Sequence, residues 1–191
     1  MSRKVFALSM VLFVTFAGQA MATDSSLELG INDYSLHGTF DFIVSEDDKG
    51  YSQLMLGGMY NDRKDTNLGT MGLGVFGKVA QVPGMRIGVS LDGYGGESDK
   101  EEFLAGGFGA HLIAAPPALQ GFGIDASFVY CPKVFTTLDA DRMRVASIKA
   151  KYDIIPRASV FVGFFHTRGN FENTGDRTLD EGFRGGVQMR F

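Results

Sequence analysis

The chain has 191 residues, of which 45% are hydrophobic and 26 are glycine, with a single cysteine and a formal net charge of −4. That length fits one domain, the mild acidity argues against nucleic acid as a partner, and one cysteine excludes an internal disulfide. After the N-terminus no stretch approaches the roughly 20 consecutive apolar residues of a membrane helix, so any membrane-spanning part must be built from strands.

Arg3 and Lys4 precede an apolar run from Val5 to Ala17, and Ala20-Met21-Ala22 carries the small residues that flank a cleavage site. Residues 1–22 therefore read as a cleaved secretory signal peptide. Its apolar run is too short to span a bilayer as a helix. Removing 22 of 191 residues leaves a mature chain of 169, starting at Thr23, and the loss of Arg3 and Lys4 moves the net charge to −6.

From Ser26 onward the chain shows short segments of period two and no sustained helical period. Leu27, Leu29 and Ile31 alternate with Ser26, Glu28 and Gly30, and Asn32-Asp33 makes a tight turn. Leu36, Gly38, Phe40 and Phe42 then oppose Ser35, His37, Thr39 and Asp41. SEDDKG (45–50) is a turn by composition. Tyr51 to Asn61 carries apolar residues on both faces, and NDRKDT interrupts it. Met71, Leu73 and Val75 oppose Thr70, Gly72, Gly74 and Phe76; after QVPG, Ile87, Val89 and Leu91 face away from Arg86, Ser90 and Asp92. GESDKEE (96–102) reads as a charged loop. Leu104, Phe108 and Leu112 lie against Gly107, Gly109 and His111.

Pro116 and Pro117 cannot continue a ladder, so APPALQG turns the chain. Phe122, Ile124, Phe128 and Tyr130 then oppose Asp125, Ser127 and Cys131. Beyond a loop near 134–141, Ile148, Ala150 and Tyr152 face opposite Ser147, Lys149, Lys151 and Asp153. Ile155-Pro156-Arg157 turns into a strand from Ala158 to Thr167, and 171–180 reads as a long polar loop. In the final stretch, EGFRGGVQMRF, Phe183, Val187, Met189 and Phe191 share one face while Arg184, Gln188 and Arg190 share the other. One face suits hydrocarbon and the other suits water.

Segments of about ten residues with this alternation predict an all-β fold: an antiparallel, up-and-down transmembrane β-barrel over 23–191 as a single domain. Counting the Asn32-Asp33 hairpin gives ten strands; dropping that first pair gives eight. The connections read as alternately short and long, which places both termini in the periplasm. Glycines inside the strand patterns mark bends or a crowded lumen.

The inner faces collect charge. Arg86, Asp92, Asp125, Lys149, Lys151, Arg184 and Arg190, with Asp41 and Asp153, form a predicted lumen charge network, because opposite charges confined in a narrow barrel must pair or stay wet. A barrel of this size predicts a polar, largely occluded interior that passes at most small ions. Catalytic chemistry has little support. His37, His111 and His166 lie in no catalytic motif, and a Ser127–His111 pairing is of a kind that arises by chance in barrels. The acidic turns lack the spacing of a calcium loop, Cys131 reads as a small wall residue, and neither a cofactor nor a metal is expected.

Several stretches resemble the YfaZ family of bacterial outer-membrane proteins: Leu119-Gln120-Gly121-Phe122, Tyr130-Cys131-Pro132, the run from Tyr152 through Pro156 to Phe164, Asp180-Glu181-Gly182-Phe183, and Met189-Arg190-Phe191. The resemblance implies a porin-like barrel in the outer membrane, with outer-membrane lipid as its surroundings and no established catalytic residues. The likeness to outer-membrane proteins further implies that Phe183, Met189 and Phe191 belong to the signal read by the barrel-assembly machinery after delivery by periplasmic chaperones. Two other classes remain open at this point: an outer-membrane enzyme acting on lipid or peptide, and a soluble, lipocalin-like periplasmic carrier with its apolar faces turned inward.

Overall fold

The computed structural model describes residues 24–191 apart from Lys100 and Asn173; the expected signal peptide lies outside the described residues. The strands are β1 (Ser25–Ile31), β2 (Ser35–Glu46), β3 (Gly50–Asn61), β4 (Thr66–Lys78), β5 (Met85–Ser98), β6 (Glu101–Ala114), β7 (Phe122–Cys131), β8 (Thr136–Leu138), β9 (Ala140–Ile155), β10 (Ala158–Phe171) and β11 (Gly175–Arg190). All pairings are antiparallel, and β1 pairs with β11 from Ser26↔Arg190 to Ile31↔Gly185, which closes the sheet. Strands β7 and β8 share one wall position: β7 pairs with β6 over Phe108–Ala114, and β8 pairs with it over Phe103–Ala105. Pro132 offers no amide to the ladder, and the short 3₁₀ turn Lys133–Phe135 bridges the break. The result is a ten-stranded, up-and-down barrel. The β1–β2 hairpin is fully paired, so the eight-stranded alternative falls away.

Asp24 and Phe191 lie at one end, here called the near end, with turns 47–49, 79–84, 115–121 and 156–157; the far end has 32–34, 62–65, 99, 132–139, 172 and 174. Loop length does not alternate as expected. The polar stretches 96–102 and 171–180 are mostly strand, because a neighbouring strand satisfies their backbone groups whatever the side chains, and the connections shrink to tight tips. Asp65 and Asp99 take left-handed backbone conformations at two of these tips, which a short side chain able to bond its own backbone tolerates.

Alternation along each strand sends its two faces to opposite environments. Met71, Leu73, Val75, Ile87, Val89, Leu91, Phe108, Phe128 and Phe183 all point outward and are exposed, while Glu28, Arg184 and Asp180 are buried inside. This inverts the pattern of a water-soluble domain. On β7, Phe122 and Tyr130 bracket an outward apolar band which, after strand tilt, is roughly 20 Å tall.

Closing a small barrel crowds its wall, and glycine relieves the crowding where a large inward side chain lies flat against a neighbouring strand. A Cβ on Gly74 or Gly88 would meet the Phe76 ring at 2.7 Å and at less than that. At the β1–β11 seam the register partners Gly30 and Gly186 lie beneath Phe161, whose Cζ would stand 3.0 and 2.5 Å from their added Cβ atoms. Each ring covers the backbone that its glycine leaves bare.

Candidate functional site

The barrel interior is filled at the far end and open at the near end. In the far third, Met59, Leu68, Tyr94, Phe103, Val129, Cys131, Met143, Phe171 and Leu179 pack together, none more than 7% exposed. Phe103 and Phe171 meet edge to face with centroids 5.9 Å apart. Beside this plug Arg184 and Asp180 form a fully buried ion pair; Asn61 Nδ2 donates to Asp180 Oδ1 at 2.7 Å, Arg184 Nε donates to Ser35 Oγ at 2.9 Å, and the guanidinium lies 4.7 Å from the Phe165 ring centre. Above the plug the hairpin tips reach across the mouth: Arg177 bonds Asp99 at 2.6 Å, and Thr174 Oγ1 donates to Glu101 at 2.9 Å. The plug side chains fill the far end of the lumen.

Toward the near end the inward positions become small or polar (Ser26, Thr39, Gly72, Gly109, Gly123, Ser127, Ser147, Gly163), and ten strands leave more room than such side chains fill. A cavity of about 710 Å³ remains, running from Arg190, Asp153 and Glu46 at its mouth to Met59, Leu68 and Tyr94 at its floor.

The two sides of this chamber differ chemically. One side is a chain of polar contacts running around the wall from β7 to β2: Lys151 bonds Asp125 at 2.5 Å and donates to Gln188 Oε1 at 3.3 Å, Gln188 Nε2 donates to Ser26 Oγ at 3.3 Å, and Ser26 Oγ donates to Asp41 Oδ2 at 3.2 Å. Lys149 extends across β10 and β11 to Glu28 on β1, donating at 2.9 and 2.7 Å to its two oxygens. Gly163, its register partner, makes this reach possible, since a Cβ there would stand 2.7 Å from Lys149 Cγ. The other side is aromatic: Tyr51 stacks on Phe76 at 4.9 Å, Arg86 lies 5.4 Å from the Tyr51 ring, and His111 tilts against Phe76. Two atoms of lining residues, His37 Nδ1 and Asp125 Oδ1, are buried in the wall without a hydrogen-bond partner among the described residues.

The charged residues predicted for the lumen all sit on inward positions, and they form separate groups. Lys149, Lys151 and Asp125 belong to the polar wall, Arg86 to the aromatic wall, Asp92 to a cluster with Ser90 and His111, Arg184 to the far-end knot, and Arg190 to a half-exposed pair with Asp153 at 2.7 Å. What fills the far end of the lumen is the apolar cluster rather than these pairs. Glu28 and Asp180, the partners of the two best-buried cations, were not among the expected residues; Asp180 was hidden by reading 171–180 as loop. The plug itself had a signal in the sequence, namely apolar residues on both faces of Tyr51 to Asn61, whose Met59 lies at the chamber floor. Phe183 and Met189 lie exposed on the outward face, and Phe191 is exposed at the rim of the chamber.

The Ser127–His111 pairing does not form a hydrogen bond. The two are register partners, but Ser127 Oγ shares a 2.8 Å bond with Ser147 Oγ, and His111 Nε2 bonds Ser90 Oγ at 2.8 Å. Ser90 also donates to Asp92, so the carboxylate holds the serine rather than orienting the histidine, as a catalytic triad requires. Ser90 is 5% exposed and, unlike Asp92 and His111, does not line the chamber. Among the described residues no group of three or more His, Cys, Asp or Glu is placed to hold a metal.

No protein-family model matches the chain. No curated protein matches it either. Among solved structures, it is similar to a membrane protein from work on in-meso crystallization (13% identity, TM-score 0.48, 88% of this chain and 83% of that one). It is also similar to the KdgM porin in complex with disordered oligogalacturonate (10% identity, TM-score 0.47, 88% and 99%) and to OmpT, an outer membrane protein of Vibrio cholerae (8% identity, TM-score 0.42, 90% and 66%). At these identities the likeness illustrates an architecture that the strand pairing already establishes.

Proposed function

We propose that this protein is a small outer-membrane barrel, of the YfaZ type that its C-terminal half resembles, and that its lumen is a blind chamber binding a small polar solute from the periplasmic side. The outward apolar band supports the membrane location. In water each large apolar side chain left exposed forgoes about 1.5–3 kcal/mol of burial, whereas lipid takes up the whole band; a lipocalin-like carrier would turn these faces inward. An even strand number with Asp24 and Phe191 at the chamber's mouth suits a periplasmic opening. The observation that carries the binding reading is the contrast inside one lumen: residues 0–7% exposed at the far end and an open chamber of about 710 Å³ at the near end. Its polar wall and aromatic wall offer a solute both hydrogen bonds and a ring face.

Two measurements test this. The protein should stay with the outer-membrane fraction through a carbonate wash; recovery in soluble periplasmic extract would overturn the location. In detergent, a thiol-reactive polar maleimide should label Gln188→Cys and Ser127→Cys within the chamber and leave Met143→Cys in the plug unmodified. The native Cys131 thiol, 0% exposed, should stay silent as an internal control. Equal labelling of all three positions would show a lumen open along its whole length.

A further inference from the structure

The outward face of β9–β11 changes character along the barrel. In register, Ile148, Phe164 and Phe183 form an apolar row, His166 and Glu181 share a row nearer the far end, and the row beyond sets Arg144 directly opposite Arg168. Arg142 follows on the same face, opposite Asn170, and all three arginines are exposed. Like charges directly opposite one another destabilise a sheet. Asp176 compensates in part, bonding Arg168 at 3.0 Å and accepting from Asn170 at 2.9 Å; no ion pair holds Arg142 or Arg144 among the described residues. Nearby Lys133 is matched by Asp141 at 2.6 Å. The height of the cluster comes from a second strand: the other register partner of Arg144 is Tyr130, the last residue of the apolar column on β7. A tyrosine at the edge of such a column marks the headgroup level of a membrane.

We propose that this face is a lipid site. Arg142, Arg144 and Arg168 hold the phosphate of a membrane-lipid headgroup, and the acyl chains lie along Ile148, Phe164 and Phe183. The inference rests on the membrane location proposed above. Guanidinium forks match phosphate oxygens in paired hydrogen bonds, and the anion relieves the Arg144–Arg168 repulsion. A lipid suits the site better than free phosphate because an apolar shelf lies two rows below the cations, past the His166–Glu181 row, so a tethered phosphate is held at two points while a free one meets only an exposed, salt-screened charge.

Native mass spectrometry of the purified barrel in zwitterionic micelles tests the site, with phosphatidic acid and phosphatidylcholine as probes. Wild type should retain phosphatidic acid in preference. Arg144→Gln combined with Arg168→Gln should weaken that retention about tenfold or more, while Asp176→Asn, which removes the competing carboxylate, should strengthen it. Lys49→Gln with Lys78→Gln, at the near end, should change nothing. Equal retention of both lipids, or retention unaffected by the arginine changes, would overturn the site, and displacement by excess inorganic phosphate alone would reassign it to a soluble anion. Insertion into vesicles is checked alongside: a chain that does not insert removes the membrane reading and this site with it, whereas one that inserts without the preference removes only the site.

Discussion

Arg184→Met lowers the unfolding temperature of the barrel by on the order of 10 °C, and Asp180→Asn added to it restores much of the loss. The guanidinium and carboxylate are each 1% exposed at their side chains. Breaking a buried pair from one side leaves a charge with neither water nor a counter-ion, at a cost of about 3–5 kcal/mol, whereas replacing both partners by neutral groups of similar size is often close to neutral. In a domain of this length each kcal/mol moves the midpoint by roughly 2–4 °C. Asn61 still donates to the neutral amide oxygen, so the double variant keeps one of the knot's hydrogen bonds. The temperature at which the folded, faster-migrating gel band disappears measures the effect. A single variant as stable as wild type, or a double variant no better than the single one, would mean that the pair does not lock the far end.

Phe103→Ala together with Phe171→Ala should turn the blind chamber into a narrow pore. The two rings are each 2% exposed and pack edge to face at the centre of the plug. Their loss removes the largest side chains between the chamber floor and the far mouth. Each truncation costs about 3–5 kcal/mol if made in a rigid core, so folded barrel is first isolated by its gel mobility. Proteoliposomes of the double variant should then release a small ionic dye that wild-type proteoliposomes retain. Retention by both would place the seal elsewhere, at the Arg177–Asp99 bridge across the mouth or at the Arg184 knot.

These expectations draw on features that were unequally legible in the sequence. Period-two alternation is a local property of the backbone, so the outward Ile87, Val89 and Leu91 and the inward Arg86, Ser90 and Asp92 could be assigned without knowing any neighbour. The strand number followed from the same pattern once the Asn32-Asp33 hairpin was counted. Strand ends were harder. Polar composition suggested loops at 96–102 and 171–180, yet a paired neighbour extends a ladder through any side chain that can face water. Partner identity was least accessible: Lys149 reaches Glu28 across two intervening strands, past the bare backbone of Gly163, and no sequence spacing records that route. Nor does alternation reveal height along the barrel axis. The inward set was visible as a mixture of apolar and charged residues, while their separation into a far-end plug and a near-end chamber depends on the register of all ten wall positions.

The blind lumen is tested most directly by recording from the purified wild-type barrel in a planar lipid bilayer. With insertion verified by protease resistance and gel mobility, wild type should give no steady conductance above the bare-membrane level at either polarity. A stable, nanosiemens-scale current from wild type would contradict the account, since it would require a continuous aqueous path through Phe103, Met143 and Phe171.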